Sequence, residues 1–456
     1  MPGISPTIFR EYDIRGLVDR DLTEEAVRLV GRALGTRVRR AGGRTVVVGR
    51  DCRLSGERFA TAMRQALNAS GCDVVDLGVV PTPLTYFAAQ TLPVDGLCMI
   101  TGSHNPPAYN GLKVGVGPST LYGKDIQDLR QQIERGDFDA GQGSVKSHDI
   151  VTPYRDHVAG NLRLGKRRLK VVVDAGNGTG GVVAVPLFRR LGLDVVSLFE
   201  EMDGRFPNHH PDPTVEENLA QLQAKVRETG ADLGIAYDGD ADRVGAVDEK
   251  GNVLWGDQIM ILFSRALLAE VPGAAIVGEV KCSMTLYDDI ARHGGRGIMW
   301  KAGHSLIKAK MKEEHALLAG EMSGHIFFGH RWFGFDDAIY SSGRLLELLS
   351  HAAGPLSGLL ADVPRTFSTP ELRVDCPEEK KFELVRRAQE WFSARHRTVT
   401  VDGVRVLFPD GWGLVRASNT QPLLVLRFEA TTAERLAEIR ALVESKVHEL
   451  LRELGA

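Results

Sequence analysis

Three segments of the chain share one layout, and this repetition limits the possible folds more than any other feature of the sequence. Each segment opens with a short β-branched run, at residues 45–48, 170–173 and 275–277, and a helix-like stretch and a second apolar run follow. A third apolar run then leads into a polar loop. Uninterrupted apolar strands that alternate with helices are typical of mostly parallel sheets covered on both faces. The layout therefore predicts three tandem α/β units with mixed, mostly parallel sheets.

The rest of the chain departs from this layout. Beyond Pro364 it holds a helix-like stretch at residues 379–395, strand-like runs near 399–401 and 423–428, and an amphipathic helix at 433–454. The chain has 456 residues, and one domain takes roughly 150 residues, so several domains fit. We predict three α/β domains followed by a smaller α+β domain, at residues 1–150, 151–255, 256–365 and 366–456.

The three polar loops carry the most unusual residues of the sequence. They read TGSHNP at residues 101–106, DGDADR at 238–243 and GEMSGH at 320–325. Each follows the third apolar run of its unit, and ligands of open α/β sheets bind beyond the carboxyl ends of the strands. We therefore expect all three loops at equivalent, functional ends of their sheets.

The loop DGDADR predicts a metal site. Asp238, Asp240 and Asp242 are separated by small residues, so their carboxylates can converge on one hard cation, Mg²⁺ or Ca²⁺ rather than Zn²⁺. An EF-hand is an alternative, but Arg243 replaces the glycine that such a loop requires, and the flanking runs are strand-like. A solvated acidic turn is a further alternative, although three packed carboxylates repel one another without a cation.

Three other segments offer groups that bind or carry phosphate. Ser103 stands at the end of a strand, where it is either a nucleophile or phosphate carrier or part of an ordinary turn. The segment RASNTQP at 416–422 suits a phosphate dianion, or is a plain turn. The segment FREYDIRG at 9–16 contains Arg15, which needs an anion if it is buried and otherwise belongs to a solvated edge. Further possible cations of the third unit are Lys281, Lys301 and His304.

Composition excludes several classes of protein. The formal net charge is −3, which gives no overall attraction to nucleic acid or to a membrane surface. The most apolar long stretch, residues 77–100, contains three prolines and cannot be a membrane span. The N-terminal segment does not resemble a secretory signal, and the five cysteines form no CxxC pair, as expected of reduced thiols. We expect a cytoplasmic protein that binds neither nucleic acid nor membranes, whose oligomeric state the sequence leaves open.

Taken together and in this order, FREYDIRG, TGSHNP, DGDADR, GEMSGH and RASNTQP resemble the motifs of the α-D-phosphohexomutase superfamily. The closest likeness is to the bacterial phosphomannomutase/phosphoglucomutase group, and it extends from Phe9 to Pro422. The resemblance implies four domains around a central cleft. It also implies small sugar phosphates as ligands, Mg²⁺ as cofactor and glucose 1,6-bisphosphate as activator.

The resemblance assigns roles to individual residues. It implies that Ser103 carries a phosphoryl group, that this group and the three aspartates of DGDADR hold Mg²⁺, and that Arg243 contacts the same phosphoryl group. The residues implied for the sugar hydroxyls are Glu321, Ser323 and His325. Those implied for the phosphate that is not reacting are Arg416, Ser418, Asn419 and Thr420. Other family positions near the substrate match Tyr12, Arg15, Lys113, Lys281 and His304.

The implied reaction interconverts hexose 1-phosphates and hexose 6-phosphates of glucose and mannose. A hexose 1,6-bisphosphate forms on the enzyme, turns around and returns a phosphoryl group to Ser103. Lys113, His304 and Arg15 are unranked candidates for proton transfer. We also expect the last domain to close over the substrate, with a hinge near residues 363–366.

Three alternative functions follow from the same motifs. Phosphoglucosamine mutase is the nearest, but that group commonly has Gln where this chain has Met322, and Gly-Thr-Glu where it has residues 419–421. A phosphatase is the second, but it would not need to bind a second phosphate, which is the role implied for the segment at residues 416–422. A non-catalytic sugar-phosphate or metal-binding protein would not need Ser103, Arg243 and the aspartates all intact.

Overall fold

The computed structural model describes residues 4–418 and 422–455, and within these residues four sheets follow one another along the chain. The helices and strands of the first unit are β1 (Ile14–Leu17), α1 (Glu24–Arg40), β2 (Thr45–Arg50), α2 (Gly56–Ala69), β3 (Asp73–Val79), α3 (Thr82–Thr91), β4 (Gly96–Ile100), β5 (Tyr109–Val116), β6 (Ser119–Thr120), α4 (Lys124–Glu134) and β7 (Val145–Ser147). The strand order is β1-β5-β4-β2-β3-β7, and β6 pairs with β5.

The second unit contains α5 (Val151–Asn161), β8 (Lys170–Asp174), α6 (Gly181–Arg190), β9 (Asp194–Leu198), α7 (Ala220–Thr229), β10 (Leu233–Tyr237), β11 (Val244–Asp248) and β12 (Val253–Leu254). Its sheet has the order β12-β11-β10-β8-β9. The third unit contains α8 (Gly256–Glu270), β13 (Ala275–Glu279), α9 (Met284–Arg292), β14 (Arg296–Trp300), α10 (His304–Glu313), β15 (Leu318–Gly320), β16 (Ile326–Phe328) and α11 (Ala338–His351). Its sheet has the order β14-β13-β15-β16.

The shared layout has a simple structural cause. In each of these units the first two predicted runs form parallel neighbours, β2 with β3, β8 with β9 and β13 with β14. The third run lies parallel to the first on its other side, and the next strand returns antiparallel to it. Each polar loop is the connection between this parallel strand and the returning strand. The three predicted α/β units with mixed sheets are thus confirmed, and the loops lie at equivalent sheet ends.

The fourth unit is an antiparallel sheet with two helices, as predicted for a smaller α+β domain. Its elements are β17 (Phe367–Ser368), β18 (Leu372–Asp375), α12 (Lys381–Ser393), β19 (Arg397–Val399), β20 (Val404–Phe408), β21 (Gly411–Ala417), β22 (Leu423–Ala430) and α13 (Ala433–Leu454). The described strands have the order β17-β22-β21-β20-β19, and β18 also pairs with β22.

The strands of this sheet that were not predicted from the sequence include β20 and β21. The interpretation of Arg416 as part of a turn is wrong, because it lies within β21. The cause is an arginine inside β20 that breaks the expected apolar pattern. Arg405 is fully buried because it faces the third unit, where it donates to the carbonyls of Val280 at 2.6 Å and Cys282 at 2.8 Å.

Aromatic side chains join the first three units into one body. Phe87 of the first unit, Tyr154 of the second and Trp332 of the third are all buried and meet with ring centroids 5.4 to 6.1 Å apart. Burying each such side chain contributes roughly 1.5–3 kcal/mol. The apolar core is continuous across these units, whereas the fourth unit has its own core. The three polar loops are therefore held at fixed relative positions.

Each helix in the part of the chain that the structure describes is too short or too polar to cross a membrane.

Candidate active site

The buried hydroxyl of Ser103 points from the first unit into the second. The Ser103 backbone has a left-handed φ of 50°, which is uncommon and strained for a residue with a side chain. Its N–H donates to Thr101 Oγ1 at 2.8 Å, and its Oγ donates to Asp238 Oδ2 at 2.8 Å. The loops approach so closely that a Cβ on Gly239 would lie 2.6 Å from the Ser103 carbonyl oxygen. A serine and an acidic turn, 135 residues apart in sequence, thus form one site.

The acidic turn between β10 and β11 is closed off from solvent. The side chains of Asp238, Asp240 and Asp242 are fully buried, and one ligand oxygen from each lies within 4.8 Å of the others. Lys113 on β5 donates to Asp240 Oδ2 at 2.9 Å and also to Asp242 Oδ2. The Oδ1 atoms of both aspartates accept no hydrogen bond from the described residues. Buried carboxylate oxygens without partners are costly, and these oxygens fit a hard divalent cation such as Mg²⁺.

Charge and burial shift the pKa values of the carboxyl groups in this cluster in opposite directions. Burial, together with the neighbouring charges of Asp240 and Asp242, raises the pKa of Asp238 well above its usual value. Burial alone would also raise the pKa of Asp240, but the charge of Lys113 and a hydrogen bond from Thr82 outweigh it and lower that pKa. Burial disfavours the charged Lys113, yet the two aspartates raise its pKa well above the usual range. Lys113 therefore remains a cation and balances part of the acidic charge.

The third polar loop joins the same cluster through His325. Arg243 Nε donates to His325 Nε2 at 3.0 Å, which leaves His325 Nδ1 as the protonated nitrogen, 3.1 Å from Asp336 Oδ2. Arg243 Nε is also 4.0 Å from Asp238 Oδ2. The ring of His304 stacks on His325 with centroids 5.4 Å apart. Burial and the charge of Lys308 lower the pKa of His304 well below its usual value, so His304 is neutral near neutral pH.

The N-terminal segment connects the serine loop to the third unit. Arg15 donates to Asn105 Oδ1 at 2.6 Å and pairs with Asp13, an anion of the same segment. Tyr12 donates from its hydroxyl to the Ala302 carbonyl at 2.8 Å. In the same region the N–H of Gly303 donates to Glu321 Oε1 at 2.5 Å. Ser323 is half-buried in the third loop.

Besides Arg405, charged contacts at Lys281 and at Asp402 join the fourth unit to the third. Lys281 Nζ lies 2.6 Å from Glu371 Oε1, and this lysine lowers the pKa of Glu371 to about 2. Arg416 Nε donates to Asp402 Oδ2 at 3.0 Å, and the same oxygen accepts from the Ala302 N–H at 3.1 Å. The buried Ser418 is the last described residue before the gap. Two other implied phosphate ligands, Asn419 and Thr420, lie outside the described residues.

Three residues of the site were not identified from the sequence. Thr82 donates to Asp240 Oδ2 at 2.5 Å, and its N–H donates to the Asp240 carbonyl at 2.8 Å. Asp51 and Arg53 form a buried ion pair of 3.1 Å beside the serine loop. A sequence signal for this pair did exist: both follow β2, the strand parallel to β4, and therefore stand at the functional edge of the sheet.

Comparisons with known proteins agree across the whole chain. The family models of phosphoglucomutase/phosphomannomutase, described as α/β/α domains I, II and III and a C-terminal domain, match residues 6–140, 152–251, 255–367 and 371–446.

Among curated proteins, the chain is 48% identical to a phosphomannomutase/phosphoglucomutase of Pseudomonas aeruginosa, over 98% of this chain and 96% of that protein. It is 46% identical to a phosphoglucomutase of Neisseria gonorrhoeae, over 98% and 99%. A crystal structure of a phosphoglucomutase/phosphomannomutase family protein from Burkholderia thailandensis superposes with a TM-score of 0.92 at 44% identity, over 99% of this chain and 98% of that one. The chain therefore belongs to the phosphoglucomutase/phosphomannomutase family.

Proposed function

We propose that this protein is a Mg²⁺-dependent phosphohexomutase that interconverts the 1-phosphates and 6-phosphates of glucose and mannose through a phosphorylated Ser103. The observation that carries the proposal is the 2.8 Å contact between Ser103 Oγ and Asp238 Oδ2, which sets a buried hydroxyl against an acidic cation site. The names of relatives at 46–48% identity give the same activity.

The metal would be held by carboxylate oxygens of Asp238, Asp240 and Asp242 and by an oxygen of the Ser103 phosphoryl group. When bound, Mg²⁺ supplies charge that neutralises the transferring phosphoryl group. The Oδ1 atoms of Asp240 and Asp242, which accept no hydrogen bond from the residues that the structure describes, support this ligand set.

The positive side chains counter the repulsion between two phosphates. A phosphorylated Ser103 would repel an incoming sugar phosphate, and Arg243 and the charged Lys113 offset that repulsion from within the buried cluster. The sugar hydroxyl attacks the phosphorus and gives up its proton, the bond from phosphorus to Ser103 Oγ breaks, and the leaving Oγ takes up a proton. Lys113, His304 and Arg15 are the candidates for these proton transfers. Arg15 also holds the serine loop through Asn105.

The product of this step is a hexose 1,6-bisphosphate that must turn around before the second transfer. Ser103 Oγ then gives up its proton and attacks the other phosphoryl group, the bond from that phosphorus to the sugar oxygen breaks, and the sugar oxygen takes up a proton. We assign the sugar hydroxyls to Glu321, Ser323 and His325, near Tyr12 and Lys281. The distal phosphate is assigned to Arg416, Ser418, Asn419 and Thr420.

Glucose 1,6-bisphosphate would act as activator because it can phosphorylate Ser103 directly. We place the reaction in the cytoplasm, where thiols stay reduced, in keeping with five unpaired cysteines. We also propose that the chain divides into four domains at residues 1–150, 151–255, 256–365 and 366–456.

The choice of sugar provides the test of the proposed function. We expect turnover of both glucose 1-phosphate and mannose 1-phosphate and poor turnover of glucosamine 1-phosphate, because Met322 stands where phosphoglucosamine mutases commonly carry glutamine. The measurement is kcat/KM for the three sugars with glucose 1,6-bisphosphate and Mg²⁺ present. A preference for the amino sugar would assign the protein to the phosphoglucosamine mutases. Release of free phosphate instead of a hexose 6-phosphate would make it a phosphatase.

Closure of the fourth unit is a further expectation. Arg416 is buried against Asp402, which also binds the Ala302 N–H of the third unit, so this arginine stands where the two units meet. We expect Arg416→Ala to raise KM about 10-fold or more, since a charge-assisted hydrogen bond contributes about 1.5–3 kcal/mol. The bisphosphate should then escape into solution during turnover, where it can be detected by mass spectrometry.

A matched control is Arg386→Ala, because Arg386 is an exposed residue of α12 that pairs with Glu383. Small-angle scattering with and without a bisphosphate analogue measures the closure itself. An unchanged radius of gyration, with unchanged hydrogen exchange at residues 363–366, would mean that the fourth unit is rigid. An unchanged KM in Arg416→Ala would remove the residue from the phosphate site.

A further inference from the structure

Arg53 is a buried arginine that directs four of its five side-chain N–H donors to the carbonyls of one short stretch of chain, residues 103–109. Its Nη2 donates to the carbonyls of Ser103 at 2.7 Å and Asn105 at 2.5 Å. Its Nη1 donates to the carbonyls of Pro106 at 2.7 Å and Tyr109 at 2.9 Å. The fifth donor, Nε, lies 3.1 Å from Asp51 Oδ2. A guanidinium has five N–H donors in a fixed planar fork, so this one is saturated, and four of its partners are main-chain carbonyls of the serine loop.

The anion that balances Arg53 is tied to the same loop. Asp51 Oδ2 accepts from Thr101 Oγ1 at 2.7 Å and from the Gly102 N–H at 3.3 Å, while Thr101 Oγ1 accepts from the Ser103 N–H. Both charged side chains are excluded from solvent. Arg53 therefore binds carbonyl groups of the loop, and Asp51 binds a hydroxyl and an N–H group of the same loop. Removing either partner would leave a buried charge unpaired.

Two close contacts tie this grip to the reacting group. A Cβ on Gly102 would lie 2.6 Å from Arg53 Cζ, so the guanidinium is pressed flat against the backbone just before Ser103. The Ser103 carbonyl lies between Arg53 and the acidic turn, since a Cβ on Gly239 would meet that oxygen at 2.6 Å. On the other side, the Arg53 guanidinium carbon lies 5.2 Å from the ring centroid of Phe206, a residue of the second unit.

We propose that Arg53 is the positioning residue of the phosphoryl-carrying loop: its five hydrogen bonds hold the strained backbone at Ser103 so that Oγ faces the acidic turn throughout turnover. The strained φ of Ser103 needs surroundings that over-determine it, and the four carbonyl contacts provide them. Arg53 acts through the loop and does not itself touch the transferring group. This inference rests on the proposed function, because positioning matters only if Ser103 reacts.

Lysine cannot replace this fork. Its ammonium keeps the charge but offers three donors without the planar geometry, so Arg53→Lys retains the balance with Asp51 and loses loop contacts. A mutation that lies far from the reacting atoms but displaces them by about 1 Å can lower the rate about 100-fold. We expect Arg53→Lys to lower kcat about 100-fold with KM changed by less than about threefold. Hydrogen exchange at residues 101–109 should become faster than in the wild type.

The matched control is Arg331→Lys. Arg331 is also a largely buried arginine, paired with Glu347 at 2.8 Å and donating to the Asn161 carbonyl, but it joins the second and third units away from the serine loop. The Arg331→Lys variant should have a lower melting temperature than the wild type, as Arg53→Lys should, but it should keep the wild-type kcat. Gly102→Ala is the second variant. It keeps the arginine at position 53, but the added methyl group displaces the guanidinium from the backbone of the serine loop. It should reproduce the loss of kcat.

The outcomes separate a positioning role from a general structural one. A kcat within about twofold of the wild type in Arg53→Lys or in Gly102→Ala overturns the proposal, whatever the melting temperature. An equal loss of kcat in Arg331→Lys overturns it too, because the effect would then follow from destabilisation alone. If the wild type shows no mutase activity, the proposed function fails by itself. Hydrogen exchange then decides the claim about Arg53, and unchanged protection of residues 101–109 in Arg53→Lys overturns it.

Discussion

Replacing Ser103 with alanine is expected to abolish mutase activity, lowering kcat by roughly 10⁴-fold or more, because no other group could carry the phosphoryl between the two transfers. Wild-type protein incubated with glucose 1,6-bisphosphate should gain one phosphoryl group, which peptide mass spectrometry should locate on Ser103. The variant should gain none. The variant should lose about 1–3 kcal/mol of stability, because the buried Asp238 Oδ2 is left without its donor, while Asp238 Oδ1 keeps the Asp242 N–H at 3.1 Å.

The control for this experiment is Ser70→Ala. Ser70 is equally buried in the first unit, where it bonds Arg32 and the Ala66 carbonyl, and it has no contact with the acidic turn. It should keep full activity and full phosphorylation of Ser103. If the wild type takes up no phosphoryl group under these conditions, or takes it up at another residue, the phosphoserine mechanism is wrong even if activity is present.

Asp240→Asn is expected to reduce turnover on the order of 10²-fold or more, the scale of losing one preorganised electrostatic partner of a transferring group. The amide keeps an oxygen that can accept the hydrogen bond of Thr82, so the local fold has a substitute for that contact. It lacks the charge that attracts Mg²⁺ and that compensates the buried Lys113. The measurement is activity after chelation and stepwise return of Mg²⁺, where the variant should need more metal and reach a lower maximum.

Asp248→Asn provides the same change of charge on the same unit. Asp248 is a buried residue at the end of β11 whose Oδ1 caps a turn by accepting from the Lys250 N–H at 2.9 Å and the Asn252 N–H at 2.8 Å. Its replacement should leave the Mg²⁺ requirement unchanged. Full activity of Asp240→Asn after metal is returned, or an equal loss in Asp248→Asn, would refute the assignment of the acidic turn to the metal.

The sequence was sufficient for the architecture because apolar periodicity reports which surfaces of a strand or helix are buried. The β-branched runs at residues 45–48, 170–173 and 275–277 appear as central parallel strands. The last helix occupies residues 433–454, as its apolar spacing predicted. Prediction was poorer in the fourth unit, where Arg405 and Arg416 stand inside strands. A buried arginine interrupts the apolar pattern of a strand, and its burial is explained only by its hydrogen-bond partners on another unit, as for Arg405.

The chain by itself also indicated which loops meet in the candidate site, because small residues, carboxylates and hydroxyls at strand ends are recognisable without coordinates. Tertiary structure alone decided how these groups meet. Lys113 comes from β5 of the first unit to balance Asp240 and Asp242 of the second. Arg53 directs four of its five donors to carbonyls about fifty residues later in the sequence. Such contacts depend on the distances between units. Those distances follow from packed side chains such as Phe87, whose partners are far away in the chain, and local sequence patterns contain no information about them.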